Sequence, residues 1–535
     1  MSTDTLPELS SRFVAALPGD TQSGNQPRQV SEALYSTVLP SPVRAPRLLL
    51  CSPSLCEDFG FDTDFCHSER FAQLMSGNER FPGVSPFATR YGGHQFGNWA
   101  GQLGDGRAIN LGELATRDGQ LLNLQLKGAG PTPYSRGADG RAVLRSSLRE
   151  FLCSEAMHFL GVPTTRALSL VLSGDEVVRD MFYDGNPQYE PGAIVCRVAP
   201  SFTRFGHFQL CAYRGEEALL RRLLHQCIHD DFPHLAAPSL TSGEHVSQDI
   251  MLRWFGEVCE RTAIMVAHWM SLGFVHGVMN TDNMSVLGLS IDYGPYGWLD
   301  HYDPQWTPNT TDAVNRRYRY EAQPEIALWN LYQLANAVLP VLQDVPEVEA
   351  ILKSYPLLYE NAWLEIMGRK LGVQNFGTKE DKALLSELLA VLQLRETDMS
   401  LFFRALAQAP LGGEVREDVG VLAHAFYGEG EASGEHLIRL SRWLQHYAAR
   451  VHRDAQDVCV RRTQMNRVNP WFVLRNYLVQ EALDLADEGD FSRVHQLHAA
   501  LQEPYIEHHN APGFHRKRPE WARHRAGASM LSCSS

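Results

Sequence analysis

An α+β fold in two lobes, strands first and helices after, with a helical C-terminal extension, is what this sequence predicts. Three observations carry the prediction. Residues 91–106 hold six glycines, at 92, 93, 97, 101, 104 and 106, a local bias toward tight backbone turns. Two apolar runs of strand length follow them, and then a long amphipathic stretch. Beyond residue 246 the apolar residues recur mostly at helical spacing.

Taken in order, residues 1–60 are rich in Pro, Ser and Gln and read as an extended segment wrapping over a later domain. Strands are expected at 107–114 and 121–127, because both are apolar runs flanking a turn that contains Asp118-Gly119. A helix from 141 to about 160 stops at Gly161 and Pro163. Short strands at 167–172 and 193–198 lead to a helix at about 216–228. The Pro/Ser/Thr/Gly-bearing stretch 232–245 is a linker. The helix at 246–272 ends at Gly273, and two short strands are expected at 284–287 and 289–292. Helices at 324–342, 348–371, 379–409 and 434–451, and two or three more, complete the reading, with no internal repeat or low-complexity tract. The implied divisions are a wrapping segment 1–60, a β-rich lobe 61–175, a helical lobe 176–345 and a helical region 346–535.

Composition excludes several classes. The chain has 535 residues with 48 Lys+Arg against 62 Asp+Glu, a net charge of −14. That balance argues against a general nucleic-acid binder. No run approaches the roughly eighteen apolar residues that span a bilayer, so no membrane role is expected. The first residues lack a basic segment followed by an apolar core, so a cytoplasmic location is expected over secretion. Ten cysteines form no CxxC pair and no zinc-like spacing. Cys533, in a Ser-Cys-Ser-Ser tail, stands out as a redox candidate, because a thiol near a chain end reaches partners that a core thiol does not.

Two groups of residues point to nucleotide chemistry. Gly104-Asp105-Gly106-Arg107 opens the first hairpin, Lys127 closes it, and Glu150 lies on the following helix. Glycine lets a backbone approach phosphate closely, a strand Lys supplies a point charge, and a helix Glu holds that Lys. Hairpin, Lys and Glu in this order are the small lobe of a protein-kinase-like fold. The second group follows the long helix. His276 and Asn283 are seven apart, as in a kinase catalytic loop, and Asp292-Tyr293-Gly294 follows as a metal-binding Asp would. Val278 breaks the pattern, standing two residues after His276 where a kinase has its catalytic Asp; valine accepts no proton. Asp282 is the nearest carboxylate that could replace it. Arg197 and Arg204 suit bidentate phosphate contacts, although surface arginines are common. Asp139 and Gly140 read equally well as a helix cap and a turn glycine.

These residues sit in runs that resemble the selenoprotein O (YdiU) family of protein adenylyltransferases: YGGHQFGNWAGQLGDGRAINLGEL, LQLKGAGPTPYSRGADGRAVLRSSLREFL, HGVMNTDNMSVLGLSIDYGPYGWLD, NPWFVLRNYL and the SCSS tail. The resemblance covers the chain from about residue 30 onward. It implies a kinase-like fold that binds ATP reversed and moves AMP, with possible UMP transfer from UTP, to protein Ser, Thr or Tyr hydroxyls. It implies that Gly104, Gly106, Arg107, Lys127, Asp139, Gly140, Arg197, Arg204 and Asp292 bind the nucleotide. Asn283 and Asp292 would hold Mg²⁺ or Mn²⁺, Asp282 would accept the proton, and Glu150 would partner Lys127. Family members with a terminal selenocysteine or cysteine are thought to pair it with a cysteine of the activation segment. This chain has none between Cys259 and Cys459. A non-catalytic nucleotide-binding scaffold is the rival reading, supported by Val278.

Overall fold

The computed structural model describes residues 6–182, 184–235, 246–428, 434–508 and 512–532. Its first part is built on one antiparallel sheet of seven strands. In chain order the strands are β1 (Tyr35–Thr37), β2 (Arg47–Cys51), β3 (Phe87–Thr89), β4 (Gly92–Gln95), β5 (Asn98–Gln102), β6 (Ala108–Ala115), β7 (Leu121–Lys127), β8 (Arg166–Arg179) and β9 (Gln188–Ala199). The sheet runs β1-β3-β6-β7-β9-β8-β2, and β4 with β5 forms a separate hairpin. Residues 35–51 therefore supply both edge strands.

The two-residue period of strands decides what each sheet face meets. Ala167, Leu170, Ala193 and Val195 face the Leu144–Phe159 helix through Leu148, Phe151 and Leu152, in a core continuous with the helical part. Leu168, Val171, Ile194, Cys196 and Val198 face the other way. They pack on Leu55, Phe65 and Phe71 from the short helices Pro53–Asp58, Thr63–Cys66 and Glu69–Ser76. The fold is thus α+β, as expected, and the helices Gln248–Leu272, Gln323–Leu342 and Val345–Leu371 anchor its helical part. None of the described helices is long and apolar enough to cross a membrane.

Three expectations need correction. The 284–292 stretch forms no strand pair. It makes single bridges from Ser285 to Arg204 and from Ser290 to Thr164. The local pairing is instead β10 (Phe274–Val275) with β11 (Gly297–Trp298). The 284–292 backbone is fixed by side chains, since Trp269 Nε1 donates to Ser290 Oγ at 2.7 Å and His276 Nε2 to the Ile291 carbonyl at 2.8 Å. The helix expected at 379–409 is two, Lys379–Gln393 and Met399–Leu406, because Asp398 caps the second by accepting from Leu401 N. The polar break Arg395-Glu396-Thr397-Asp398 is the sequence mark of this cap. Finally, Phe205–Tyr213 is a helix that the expected elements omit.

Near its C-terminal end the chain clasps distant segments. Leu531 bridges Asn309, with Thr310 N donating to Leu531 O at 2.7 Å and Leu531 N to Pro308 O at 3.0 Å. Ser532 Oγ donates to the Met181 carbonyl beyond the end of β8. Asn309 Nδ2 in turn donates to Gly277 O at 3.0 Å.

Candidate active site

A cleft of about 600 Å³ opens where the sheet meets the 278–295 loops. Gly104, Gly106, Arg107, Lys127, Asp139, Gly140, Arg197, Arg204, Asp282, Asn283 and Asp292 all line it. Glu150 stands just behind Lys127. Cys533 lies outside the described residues.

The strands dictate the charged floor. Lys127 ends β7, and Arg197 lies opposite Gln125 on the neighbouring β9. Lys127 Nζ meets Glu150 Oε2 at 2.7 Å and Asp292 Oδ1 at 3.5 Å. Arg197 Nη1 reaches Glu150 Oε1 at 3.1 Å and also Asp292, while its Nη2 bonds Gln125. Arg204 Nη1 binds Asp292 Oδ2 and the Asp282 carbonyl, the latter at 3.0 Å. Three cations thus converge on Asp292, a non-glycine residue at φ 55. Although burial opposes ionisation, Arg204, Arg197 and Lys127 hold the Asp292 carboxyl well below the usual range. Burial pulls the Lys127 ammonium down, against the pull of Glu150 and Asp292.

The glycines are required by packing alone. A Cβ on Gly104 (φ +125) would sit 2.6 Å from the Tyr134 ring, and one on Gly106 would sit 2.8 Å from the Tyr134 carbonyl. Gly140 at φ +67 lies so close to Gly130 that a Cβ would come within 2.1 Å of its carbonyl oxygen. Asp139 does not cap the following helix, which starts at Leu144 behind Val143. It turns the chain by accepting from Arg141 N at 2.9 Å and pairs with Arg179 of β8 at 2.7 Å.

The far wall carries Asp282. This carboxyl is 7% exposed; Oδ2 accepts from Gln95 Nε2 at 3.1 Å and Oδ1 has no hydrogen-bond partner among the described residues. Burial pushes it up to about 6, against the Gln95 bond and Arg204. Its neighbours come from β4: Gln95 holds it, and a Cβ on Gly93 would stand 2.5 Å from Oδ1. Asn283 Nδ2 donates to the Val278 carbonyl at 3.0 Å, and its amide oxygen makes no recorded bond among the described residues. His276 is 1% exposed and stacks on Trp269 at 5.3 Å, so it ties the two loops together and stays out of the cleft.

Sequence reasoning missed Gln95, Gly93, Gln125 and Arg179. Gln125 carried a signal, since on β7 it shares a strand face with Lys127 two residues on. The β4–β5 hairpin carried none, because its contact with Asp282 joins residues 187 apart.

Comparison with known proteins identifies the family. The model of the family described as "Protein adenylyltransferase SelO" matches residues 22–502. A protein nucleotidyltransferase YdiU of Xanthomonas campestris pv. campestris (strain B100) is 54% identical over 528 residues, 99% of each chain. Proteins of the same name from Azoarcus sp. (strain BH72) and Rhodopirellula baltica are 53% and 52% identical, each alignment covering 98% of this chain and 99% of the relative. This chain belongs to the SelO family of protein adenylyltransferases, and it is a nucleotidyltransferase.

Proposed function

We propose that the protein transfers AMP from ATP to Ser, Thr or Tyr hydroxyls of other proteins with release of pyrophosphate, and that UTP serves for UMP in the same way. The frame is a kinase-type pair of lobes dividing near residue 175, with the nucleotide reversed so that its α-phosphate faces the acceptor. Asp282 is the observation that carries this reading. It is a buried carboxyl with one oxygen unpartnered among the described residues and a proton affinity raised to about 6, beside a floor of cations.

In this reading the acceptor hydroxyl donates to Asp282 Oδ1 and gives up its proton as its oxygen attacks the α-phosphorus. The new P–O bond forms as the α–β bridging P–O bond breaks. A positioned base of matched affinity contributes about 10²–10⁴-fold. Lys127, Arg197 and Arg204 neutralise phosphate charge inside a site too buried for water to screen it. Glu150 keeps Lys127 and Arg197 aimed into the cleft. Arg107 and Arg179 border the same cleft and extend the positive surface toward its mouth.

Asn283 and Asp292 offer one amide oxygen and one carboxylate, the hard donors that Mg²⁺ or Mn²⁺ accepts. Among the described residues no group of three or more His, Cys, Asp or Glu could hold an ion by itself. When bound, such an ion supplies further charge neutralisation.

Val278 lines the cleft where a kinase has its catalytic Asp, which favours one rival, a nucleotide-binding scaffold without chemistry. Intact-mass spectrometry after incubation with Mg-ATP separates the readings, with Asp282→Asn and Asp292→Ala run alongside. Added AMP on the protein or on a protein acceptor, absent in both variants, is the expected result. Added phosphate would show kinase chemistry. No addition to the protein itself or to any acceptor in a labelled-ATP screen would leave the scaffold.

A further inference from the structure

A second cavity, of about 390 Å³, lies next to the cleft, and Phe96 lines both. Its other walls come from the 312–322 segment and the start of the Gln323–Leu342 helix. The β4–β5 hairpin ties the two spaces together residue by residue. His94 N donates to Thr281 Oγ1 at 2.7 Å, Gln95 Nε2 to Asp282, and Phe96 N to the Tyr318 hydroxyl at 3.0 Å. Gly97, at φ +85, then lies against Arg317, where a Cβ would stand 3.4 Å from the guanidinium carbon. Asp282 and Arg317 thus meet residues two apart, which even in extended chain are about 7 Å from each other.

Arg317 is a charge held in place without a counter-charge. Its guanidinium carbon lies 4.6 Å from the centre of the Trp329 ring and 5.8 Å from that of Tyr318. Trp329 is steadied in turn by His94, edge-on at 5.5 Å. Stacking of this kind fixes the plane of the guanidinium before any ligand arrives. Arg317 makes no ion pair among the described residues. Its Nε is buried with no hydrogen-bond partner among them, which leaves the two Nη groups to carry a contact. Asp312 lines the same cavity, but its oxygens are taken by backbone: Oδ1 accepts from Arg317 N at 3.0 Å and Oδ2 from Tyr318 N at 2.7 Å. It attracts the guanidinium without pairing with it. Burial keeps the Tyr318 hydroxyl protonated and therefore neutral. Arg319 is matched by Glu321 at 2.9 Å, and exposed Glu325 pairs with neither arginine among the described residues.

We propose that Arg317 reads a carboxylate on the acceptor protein, an Asp or Glu about two to four residues from the hydroxyl that receives AMP. This preference rests on the protein-acceptor reading above and gives that acceptor a local sequence. A hydroxyl at Asp282 and a carboxylate at Arg317 are joined by chain running past Phe96, at about 3.3 Å per residue. The Nη pair offers parallel N–H groups to both carboxylate oxygens, the arrangement that makes such contacts short and directional. Glu325 lines the same cavity and repels further negative charge, so a single carboxylate suits it better than an acidic run.

The test uses the full-length protein, ATP labelled at the α-phosphate and a set of synthetic peptides. Each peptide carries one Ser, Thr or Tyr in a neutral background. A single Glu, or Gln as its isostere, is moved through the positions on either side of the hydroxyl. Glu at a site about two to four residues away should raise kcat/KM about tenfold or more over Gln, mainly through KM. Arg317→Ala should bring that ratio to about one, and Arg317→Glu should transfer the preference to a Lys at the same site. A gain of that kind does not come from a misfolded variant. Label on the peptides with no Glu preference, or with one that survives Arg317→Ala, overturns the proposal and leaves AMP transfer standing. No label on any peptide or protein counts instead against transfer, and binding then decides. By fluorescence anisotropy the Glu peptide should bind the wild type about tenfold more tightly than the Gln peptide, a difference lost in Arg317→Ala. Equal binding of the two peptides overturns the proposal by itself.

Discussion

In the proposed reaction Asp282 sets the pH behaviour of the site. Its folded affinity is raised, so the stability it confers is fully present below the ordinary aspartate range and is lost as pH rises through about 6. At pH 7 the ionised group costs up to about 3 kcal/mol, the equivalent of a two-unit shift. Asp282→Asn is therefore expected to raise the midpoint of thermal unfolding at pH 7 while cutting AMP transfer by about 10²–10⁴-fold. Calorimetry and a labelled-ATP assay on the same preparation check both halves. In the wild type kcat/KM should climb with pH up to about 6 and then level off, and the variant should show no such rise. Asp292 works in the opposite sense, as the counter-charge to Lys127, Arg197 and Arg204. Asp292→Ala leaves those cations facing one another. A loss of about 3–5 kcal/mol in denaturant titration is expected, from the usual cost of breaking a buried pair.

At the scale of elements, the β4–β5 hairpin is the part that sequence patterns did not reveal. Strand alternation and helix spacing located β6, β7 and the Leu144–Phe159 helix, and with them Lys127 and Glu150. Those signals are local, since each element announces its own buried face. His276, Asn283 and Asp292 were legible by spacing alone. The role of β4 was not, because Gln95 meets Asp282 only through tertiary packing. Its glycines read as a bias toward tight turns, whereas Gly93 makes room for the Asp282 carboxyl. Gly93→Ala should therefore lower kcat by about 10²-fold through displacement of Asp282, with nucleotide binding by calorimetry unchanged. Gln95→Leu removes the hydrogen bond that favours ionised Asp282. The pH-rate midpoint should move upward by about half a unit to one unit.

Across the whole molecule, the clasp at 531–532 joins Pro308, Thr310 and, beyond the end of β8, Met181. Through Asn309 and Gly277 it reaches the loop that bears Asp282. Deleting residues 526–535 should lower the unfolding midpoint by about 2–4 °C per kcal/mol of lost contact or less, given the size of the chain. It should also speed amide hydrogen exchange at Thr310 and Leu531-facing backbone before any change appears in β6 or β7. Mass-spectrometric exchange on the truncated and full chains reads both regions at once.

That clasp also imposes an order in time. Ser532 follows Met181 by 351 residues, and Leu531 follows Thr310 by 221. During synthesis the sheet and the cation floor can assemble while these partners are still unmade or hidden in the ribosomal tunnel. The loop that bears Asp282 is then fastened only after more than two hundred further residues have appeared. A nascent chain thus carries a formed cleft for many seconds before the loop that bears Asp282 is fastened, which delays the complete site until translation has passed residue 532.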